Sequence, residues 1–368
     1  MTDAPNDAPN DAPNETDHPA GDTAAGDREA PAARSLLGEV RDGVTRRAAL
    51  LVIGVLAIQL GFIGSYIAAF HHPAPHKIPV AVVAPQGAPA GTAQQTTAKL
   101  NGLPGTPLDA RPAESEAAAR KQITERTVSG ALILSGAGST DRLLVASGGG
   151  SAVSDALTTL LTQAERSQHR TITVTDVRPA TANDGRGLSS FYLVVGWVVG
   201  GYLVASLLGI SSGSRPANRR RAVVRLGALA VYAVASGLGG AILVGSVFSA
   251  LDGSFAALWW FGALLVFAVG AFTMALQVLA GTLGIGLTII LFVVLGNPSA
   301  GGPYPAPLEP AFFRAIGRWL PPGAGTSAVR GIAYFAGNGT LVPCLTLLGY
   351  AVVGTAVTMV ASGRRAVA

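Results

Sequence analysis

The residues best suited to metal chemistry are histidines, and three of the five stand close together. His71, His72 and His76 form the sequence HHPAPH, and imidazoles in the right geometry bind zinc or copper. Pro73 and Pro75 exclude a helix here, so no regular face gathers the three rings, and no cysteine or nearby carboxylate completes a ligand set. A metal-binding sensor is the minor alternative. The sequence favours a solvated linker, and we expect neither a metal nor a cofactor.

Groups suited to catalysis are equally sparse. A hydrolase needs a nucleophile, a base and a group that orients the base, but the other histidines, His18 and His169, stand in a polar tail and between a predicted helix and strand. None of the three lysines falls in the phosphate-loop pattern G-x-x-x-x-G-K-[ST]. The sequence SGGGS at 147–151 also lacks that lysine, so it predicts a turn. We expect that the chain is not an enzyme.

The elements that must position these groups are mostly hydrophobic. Of 368 residues, 49% are hydrophobic and 13% are charged, and the mean hydropathy is +0.43, whereas about a quarter of a soluble domain is charged. From Leu188 to the end the only acids are Asp252 and Glu309. The arginines stand beside hydrophobic runs, which they orient in a bilayer, and no basic motif has interleaved aromatic residues. The composition therefore indicates a membrane protein, with the lipid bilayer and not nucleic acid as its partner.

Two polar segments precede the first hydrophobic run. Residues 1–34 repeat the sequence DAPN three times and are rich in acids, which predicts a disordered cytoplasmic tail and not a signal peptide. Residues 35–47 place apolar side chains at helical spacing among arginines, which predicts an amphipathic helix on the inner membrane surface. A simple stop-transfer flank is the alternative for this second segment.

The first span is predicted at residues 48–70, which are uncharged and, at about 1.5 Å per residue, long enough to cross a bilayer as a helix. Residues 71–187, in contrast, have an ordinary globular composition. Strands are predicted at 78–85, 128–135, 141–148 and 171–179, and helices at 114–126 and 151–168, the last capped by Ser151. These elements predict a small α/β domain outside the cytoplasm.

Residues 188–361 are predicted to cross the membrane five more times. Single spans are predicted at 188–210, 226–250 and 341–361, and the 41-residue run 255–295 is long enough for two, with a break near 277–284. The arginine-rich loop at 211–225 and the tail at 362–368 are expected in the cytoplasm. The predicted fold is a membrane α-helical protein of the plasma (inner) membrane with six transmembrane helices, arranged one plus five. Both termini are cytoplasmic, and the α/β domain is inserted between helices 1 and 2.

Small residues recur where these helices would meet. Gly196 and Gly200 stand four residues apart, as do Ser236 and Gly240, and this spacing predicts close helix packing. None of the predicted spans contains Asp, Glu, Lys or Arg, which disfavours a carrier that moves protons through an acid relay.

Residues 297–335 interrupt the hydrophobic pattern. The sequence GNPSAGGPYP ends the preceding helix, and Pro310 then begins a three-turn amphipathic helix that Pro321 and Pro322 end. A helix of this length cannot cross, so it is predicted to lie in the outer interface or to enter it and turn back. The candidate functional residues of this re-entrant segment are Asn297, Pro298, Gly301, Gly302, Pro310, Phe312, Phe313, Arg314, Trp319 and Arg330.

The whole arrangement resembles the type-2 permeases of ABC transporters, specifically the YhgE/Pip-like group of bacterial membrane proteins. The resemblance rests on KIPVAVVAP after the first span, on ALIL in the external domain, and above all on NPSAGGPYPAPLEPAFFRAIGRWLPPGAGTSAVRGIAYF at 297–335. It covers about residues 48–361. The N-terminal tail and the short external domain depart from the pattern.

The resemblance implies a permease subunit of an exporter that works as a homodimer, or as a heterodimer with a paralogue, and is driven by a separate ATPase. In such permeases the inner amphipathic helix and the first long cytoplasmic loop touch the ATPase. The matching residues are Leu36, Leu37, Arg41, Arg219, Arg220 and Arg221. The alternative for the arginines is that they hold topology alone.

The apolar, glycine-rich walls of the predicted spans suit a lipid or an amphipathic compound as the substrate, and close packing of small residues is the alternative explanation of the same composition. The alternative function is a membrane-anchored scaffold or binding protein, of the phage-receptor or secretion-accessory type, that acts through its external domain.

Overall fold

The computed structural model of the chain describes residues 45–362, with the exception of the Arg47 side chain. The predicted acidic tail, all but the end of the predicted amphipathic helix, and the last six residues lie outside the described residues. The chain divides into two units after Ile53. Of the first unit, residues 45–53 are described, as the beginning of a helix, and the packing below is that of the second unit, residues 54–362.

The first helix, α1, spans Arg46–Phe70, and its uncharged part begins at Ala48 as predicted. It ends at the HHPAPH sequence, where prolines cannot continue a helix. Among residues 45–362, no group of three His, Cys, Asp or Glu residues is arranged to hold a metal ion. The backbone N–H of His76 donates to the Pro307 carbonyl at 2.9 Å.

A mixed five-stranded sheet with helices follows α1. Its elements are β1 (Ile78–Val83), α2 (Thr92–Asn101), β2 (Leu108–Ala113), α3 (Glu116–Thr124), β3 (Gly130–Ile133), β4 (Thr140–Val145), α4 (Ser151–Arg166) and β5 (Thr171–Asp176). The strand order is β2-β1-β3-β4-β5. Strand β1 pairs in parallel with β2 and β3, β3 pairs antiparallel with β4, and β4 pairs in parallel with β5.

Two of these elements and one helix cap differ from the prediction. Helix α2 and strand β2 are absent from it, because TAQQTTAKLN buries only three side chains and LDARPA contains a proline and two charges. Proline is tolerated in β2 because this strand lies at the sheet edge. The predicted Ser151 cap is wrong: Gly150 is the N-cap residue, and the Ser151 hydroxyl donates to the Arg186 carbonyl at 3.0 Å.

The remaining chain is a bundle of apolar helices. They are α5 (Ser189–Ser212), α6 (Arg219–Ala241, continued as a π-helix over Ile242–Val247), α7 (Phe255–Ala280), α8 (Leu283–Ile289, continued as a π-helix over Ile290–Leu295), α9 (Ala311–Gly317), α10 (Pro321–Tyr334) and α11 (Leu341–Ala361). Helix α7 is the most buried of the long helices and packs against α5, α6 and α11. Five helices of the described chain, α1, α5, α6, α7 and α11, are long and apolar enough to cross a membrane.

The long hydrophobic run at 255–295 divides unequally. The break falls at Gly281 and Thr282, inside the predicted interval, and Gly281 has a positive φ of 62° there. The first part, α7, has 26 residues, whereas the second part, with its π-helical end, is the 13-residue stretch Leu283–Leu295. Thirteen helical residues rise roughly 20 Å, less than the ~30 Å of a hydrocarbon core.

Segment 297–335 contains two helices, and the prediction that prolines end its helix is wrong. Helix α9 already ends at Gly317, and Pro321 and Pro322 occupy the first turn of α10, where a proline has no N–H bond to lose. Nearly every residue of α10 is buried. Its glycines and alanines give it the narrow profile that such burial requires.

The two faces of the sheet have different partners. On one face, Val80 and Val82 pack with Leu157 of α4 and the apolar side of α2. The other face, which includes Ala81, is covered by α3 and belongs to the same apolar core as Tyr334 of α10. The sheet therefore forms one packed body with the helices that follow it.

Candidate functional site

A cavity of about 410 Å³ lies between the α/β segment and residues 297–335. This volume falls within the range typical of ligand pockets. We call it the arginine cavity, because its lining includes Arg126, Arg314, Arg318 and Arg330, together with one acid, Glu309. The first arginine comes from the end of α3, and the others come from the segment that the sequence singled out.

Arg330 is the buried anchor of the cavity. Its side chain lies on α10 and is 3% exposed. Its Nη1 donates to the Gly301 carbonyl at 2.6 Å, and its Nη2 donates to the carbonyls of Gly302 at 3.0 Å and Gly187 at 3.3 Å. Burial lowers its pKa to about 10, so it stays charged at neutral pH. The Nε is buried with no hydrogen-bond partner among the described residues.

Arg126 fixes the α/β segment to α10. It has a positive φ of 62°, which turns the chain after α3. Its Nη1 donates to the Ser327 carbonyl at 2.8 Å, and its guanidinium carbon lies 5.3 Å from the centre of the Phe335 ring. A Cβ atom on Gly331 or Gly339 would lie 3.2 Å from Nη1, so both glycines leave room for this guanidinium group.

The other two arginines are more accessible. Arg314 is half-buried on α9, and its Nη1 donates to the Glu309 carbonyl at 3.1 Å. Arg318 is exposed just after α9, and its guanidinium carbon lies 4.9 Å from the centre of the Trp319 ring. These two groups have the most N–H donors free for a ligand.

The buried position of the Glu309 carboxyl group disfavours its charged form. The side chain is 2% exposed, and its Oε1 accepts the backbone N–H of Gly301 at 3.0 Å. Burial raises its pKa to about 7, although that N–H and the charges of Arg314 and Arg330 act in the opposite direction. It is therefore close to half protonated at neutral pH.

In the described part of the chain, the positive charge of the cavity is not balanced by ion pairs. Within residues 45–362, none of the four guanidinium groups forms an ion pair with a carboxylate. Guanidinium groups bind carboxylate and phosphate oxygens through pairs of N–H groups. The arrangement is chemically suited to an anion with several oxygens.

The glycines of SGGGS allow the two walls of the cavity to meet. They form a short 3-10 helix at Ser147–Gly149 and the turn after it. A Cβ atom would lie 2.6 Å from the Tyr334 ring if added to Gly148, and 2.4 Å from Pro305 if added to Gly150. No larger residue fits at these two positions without a shift, so this glycine run is a contact surface.

A buried hydrogen bond closes the same junction. The Tyr334 hydroxyl donates to Oδ2 of Asp184 at 2.7 Å, and Oδ1 of Asp184 accepts the backbone N–H of Ser189, the first residue of α5, at 2.8 Å. One carboxylate therefore joins α10 to the start of α5.

Several predicted residues of the re-entrant segment meet at the cavity, and others do not. Gly301, Arg314 and Arg330 line it, and Gly302 lies against Phe191 of α5. Of the rest, Asn297, Pro298 and Phe313 are buried elsewhere in the segment, Pro310 is the N-cap residue of α9, and Phe312 and Trp319 are exposed.

The predicted packing residues are unequal in their surroundings. A Cβ atom added to Gly240 would lie 2.4 Å from Nε1 of Trp197, and that Nε1 donates to the Ser236 carbonyl at 3.1 Å. A Cβ atom on Gly200 would lie 2.9 Å from a tyrosine hydroxyl of α6, whereas one on Gly196 would meet no atom within 4 Å. Three of the four positions therefore take part in contacts between α5 and α6, which are made by the side chains of Trp197 and Tyr232.

Comparisons of the chain with protein-family models, with curated proteins and with solved structures found no match.

Of the predicted ATPase contacts, Leu36, Leu37 and Arg41 lie outside the described residues. Arg219, Arg220 and Arg221 are exposed in the first turn of α6, which Asn218 caps by accepting the Arg221 N–H at 2.9 Å.

Sequence reasoning missed Arg126, Arg318 and Glu309 as members of the site. Arg318 and Glu309 belong to the segment that was singled out, but their spacing gives no sign of a shared cavity. Arg126 is 201 residues from its partner Ser327, and no local pattern connects them.

Proposed function

We propose that the chain is an integral membrane permease subunit of an ABC-type exporter, working as a dimer and driven by a separate ATPase. In this proposal it moves a lipidic or amphipathic substrate outward across the plasma membrane. The observation that carries the proposal is the arginine cavity, formed jointly by the α/β segment and the segment 297–335. Such a cavity, at the meeting point of an external domain and a membrane bundle, is a place where a substrate can be received. The resemblance to type-2 permeases supports the same function.

Six crossings with cytoplasmic termini are part of the proposal. Arg215, just after α5, donates from Nε to the Val278 carbonyl near the end of α7 at 2.7 Å. Gly302 lies beside Phe191, in the first turn of α5. Between the end of α7 and Gly302 the chain therefore runs from one end of α5 to the other. This path supports a crossing made by α8 together with the residues that follow it.

Cysteine labelling tests the topology. On a Cys344→Ala background, which removes the only thiol, Ala137→Cys places a new thiol on an exposed turn of the α/β segment, and Ala217→Cys places one before α6. In intact cells we expect a membrane-impermeant maleimide to label position 137 and not position 217. After permeabilisation it should also label position 217. Labelling of both in intact cells, or of 217 alone, would contradict the proposed orientation.

Co-purification tests the partner. The tagged chain, extracted from its native membrane in mild detergent, should bring with it a polypeptide that has a phosphate-loop ATPase sequence. Replacement of Arg219, Arg220 and Arg221 by alanine should release that polypeptide, whereas the matched change of the exposed Arg166 and Arg186 of the α/β segment should not. Recovery of the wild-type chain alone and insensitive to nucleotide would count against the permease.

A scaffold or binding protein that acts through the external domain is the second candidate. The apolar core on one sheet face, built around Val80 and Leu157, favours it because all of its buried members except Leu308 belong to the domain. Deletion of the domain would be a poor test, since its other face shares a core with α10. Substitution of Arg314 and Arg318 in the otherwise intact chain is better. A permease should then lose transport, and a scaffold should keep its partners.

A further inference from the structure

We propose that the arginine cavity binds the phosphate headgroup of a membrane lipid, and that the apolar groove beside Trp319 receives part of the same lipid's acyl chain. This names the substrate class of the permease proposed above, and in that respect it rests on the proposed function.

The lining of the arginine cavity has an excess of positive charge. Four guanidinium groups face one carboxyl group in the lining of the cavity, and that carboxyl, Glu309, is the group whose charge is suppressed by burial. A single carboxylate ligand would leave most of this positive charge uncompensated. A phosphate monoester carries between about one and a half and two negative charges at neutral pH and offers three acceptor oxygens. The phosphate is therefore the better match.

The four arginines of the cavity differ in how many N–H groups they have free for a ligand. Arg330 and Arg126 use their N–H groups mainly on backbone carbonyls and on Ser327. Arg314 and Arg318 have one such bond between them to a backbone carbonyl, and Arg318 is exposed. Buried Arg330 and half-buried Arg126 shape the cavity and supply positive potential, and Arg314 and Arg318, with more free N–H groups, are placed to contact the phosphate oxygens.

An apolar groove of about 520 Å³ lies between α7 and α11, and its lining includes Phe272, Trp319, Gly349 and Tyr350. Arg318 lines the cavity and the next residue, Trp319, lines the groove, with the guanidinium group stacked over the indole ring. A positive site and an apolar groove on consecutive residues match a phosphate and an acyl chain of one molecule. A soluble phosphate would use the first of these alone.

The experiment uses the purified full-length chain in a neutral detergent and needs no ATPase. Binding is measured by microscale thermophoresis against dioleoyl phosphatidic acid, dioleoyl phosphatidylcholine and glycerol 3-phosphate. We expect phosphatidic acid to bind at least about tenfold more tightly than either of the others, since it alone offers both a dianionic headgroup and chains. Equal binding of phosphatidic acid and phosphatidylcholine would overturn the headgroup assignment, and equal binding of glycerol 3-phosphate would overturn the lipid.

Two variants separate the two parts of the site. The change of Arg314 and Arg318 to alanine should weaken phosphatidic acid binding by about tenfold or more, with the matched pair Arg166→Ala and Arg186→Ala leaving it unchanged. Gly349→Leu fills the groove from a position where an added Cβ meets no atom within 4 Å, so the fold is preserved. It should weaken the lipid and spare glycerol 3-phosphate.

The outcomes are distinct from those of the permease test. Equal losses from the cavity pair and the matched pair would mean that general attraction of anionic lipid to arginine explains binding, and would overturn the site. No effect of Gly349→Leu on phosphatidic acid would overturn the assignment of the groove. Because no ATPase is present, binding can succeed where the permease fails, or fail where the permease is upheld.

Discussion

Replacement of Glu309 by glutamine should stabilise the protein above neutral pH and have little effect near pH 4.5. The side chain is 2% exposed and has one hydrogen bond, from the Gly301 N–H at 3.0 Å. A glutamine carbonyl oxygen can accept that same bond. The substitution therefore removes the buried charge and keeps the contact, with Arg314 and Arg330 as the charged groups nearby.

The magnitude follows from the pKa of Glu309, which burial raises from 4.5 to about 7. The folded protein thus holds a proton that the unfolded chain releases in this window, so stability falls as pH rises from about 4.5 to about 7 and is level above it. A shift of this size corresponds to about 3 kcal/mol, because one unit is worth about 1.4 kcal/mol. The variant has no such loss, so its advantage should grow from near zero at pH 4.5 to about 3 kcal/mol at pH 8.

Thermal unfolding in detergent, followed by tryptophan fluorescence at pH 5 and pH 8, measures this difference. The exposed Glu114→Gln is the matched control and should show no pH-dependent gain. A gain of the variant over wild type that is equal at the two pH values would refute the reasoning, and so would a less stable variant at pH 8. The second result would mean that the arginines hold Glu309 as a stabilised anion.

Two further substitutions test the packing. Tyr334→Phe leaves Oδ2 of buried Asp184 without its 2.7 Å donor and should cost about 1–3 kcal/mol in thermal unfolding, with an unchanged midpoint counting against the bond. Gly354→Val should destabilise the contact of α11 with α7 by about 1–3 kcal/mol or more, because a Cβ atom there would lie 2.5 Å from the Ala271 backbone. Gly349→Val on the same helix meets open space and is the control; equal effects of the two valines would refute the close approach.

The apolar helices could be predicted because their signal is local. A run of about 20 uncharged residues indicates a possible span wherever it occurs, and the helix Ala48–Phe70 coincides with the predicted run. A break near 277–284 divides the run 255–295 into two unequal parts, as the structure has it. The break itself was placed correctly, since Gly281 and its neighbours interrupt the pattern.

Helix α10 illustrates what local signals conceal. Pro321 and Pro322 are equally compatible with the end of one helix and the start of the next, and only the burial of the following turns decides between them. The cavity was out of reach for a different reason. Arg126 and Arg330 both line the cavity, although they lie far apart in the sequence. Each also donates to a carbonyl that is remote along the chain, Arg126 to that of Ser327 and Arg330 to that of Gly187.

The junction of Tyr334 with the α/β segment also determines the order of assembly during synthesis. Asp184 emerges from the ribosome 150 residues before its partner Tyr334. Until then, the sheet face around Ala81 lacks the part of its core that α10 supplies. Part of this apolar face therefore stays uncovered while three more long hydrophobic helices, α5, α6 and α7, and most of the re-entrant segment are made.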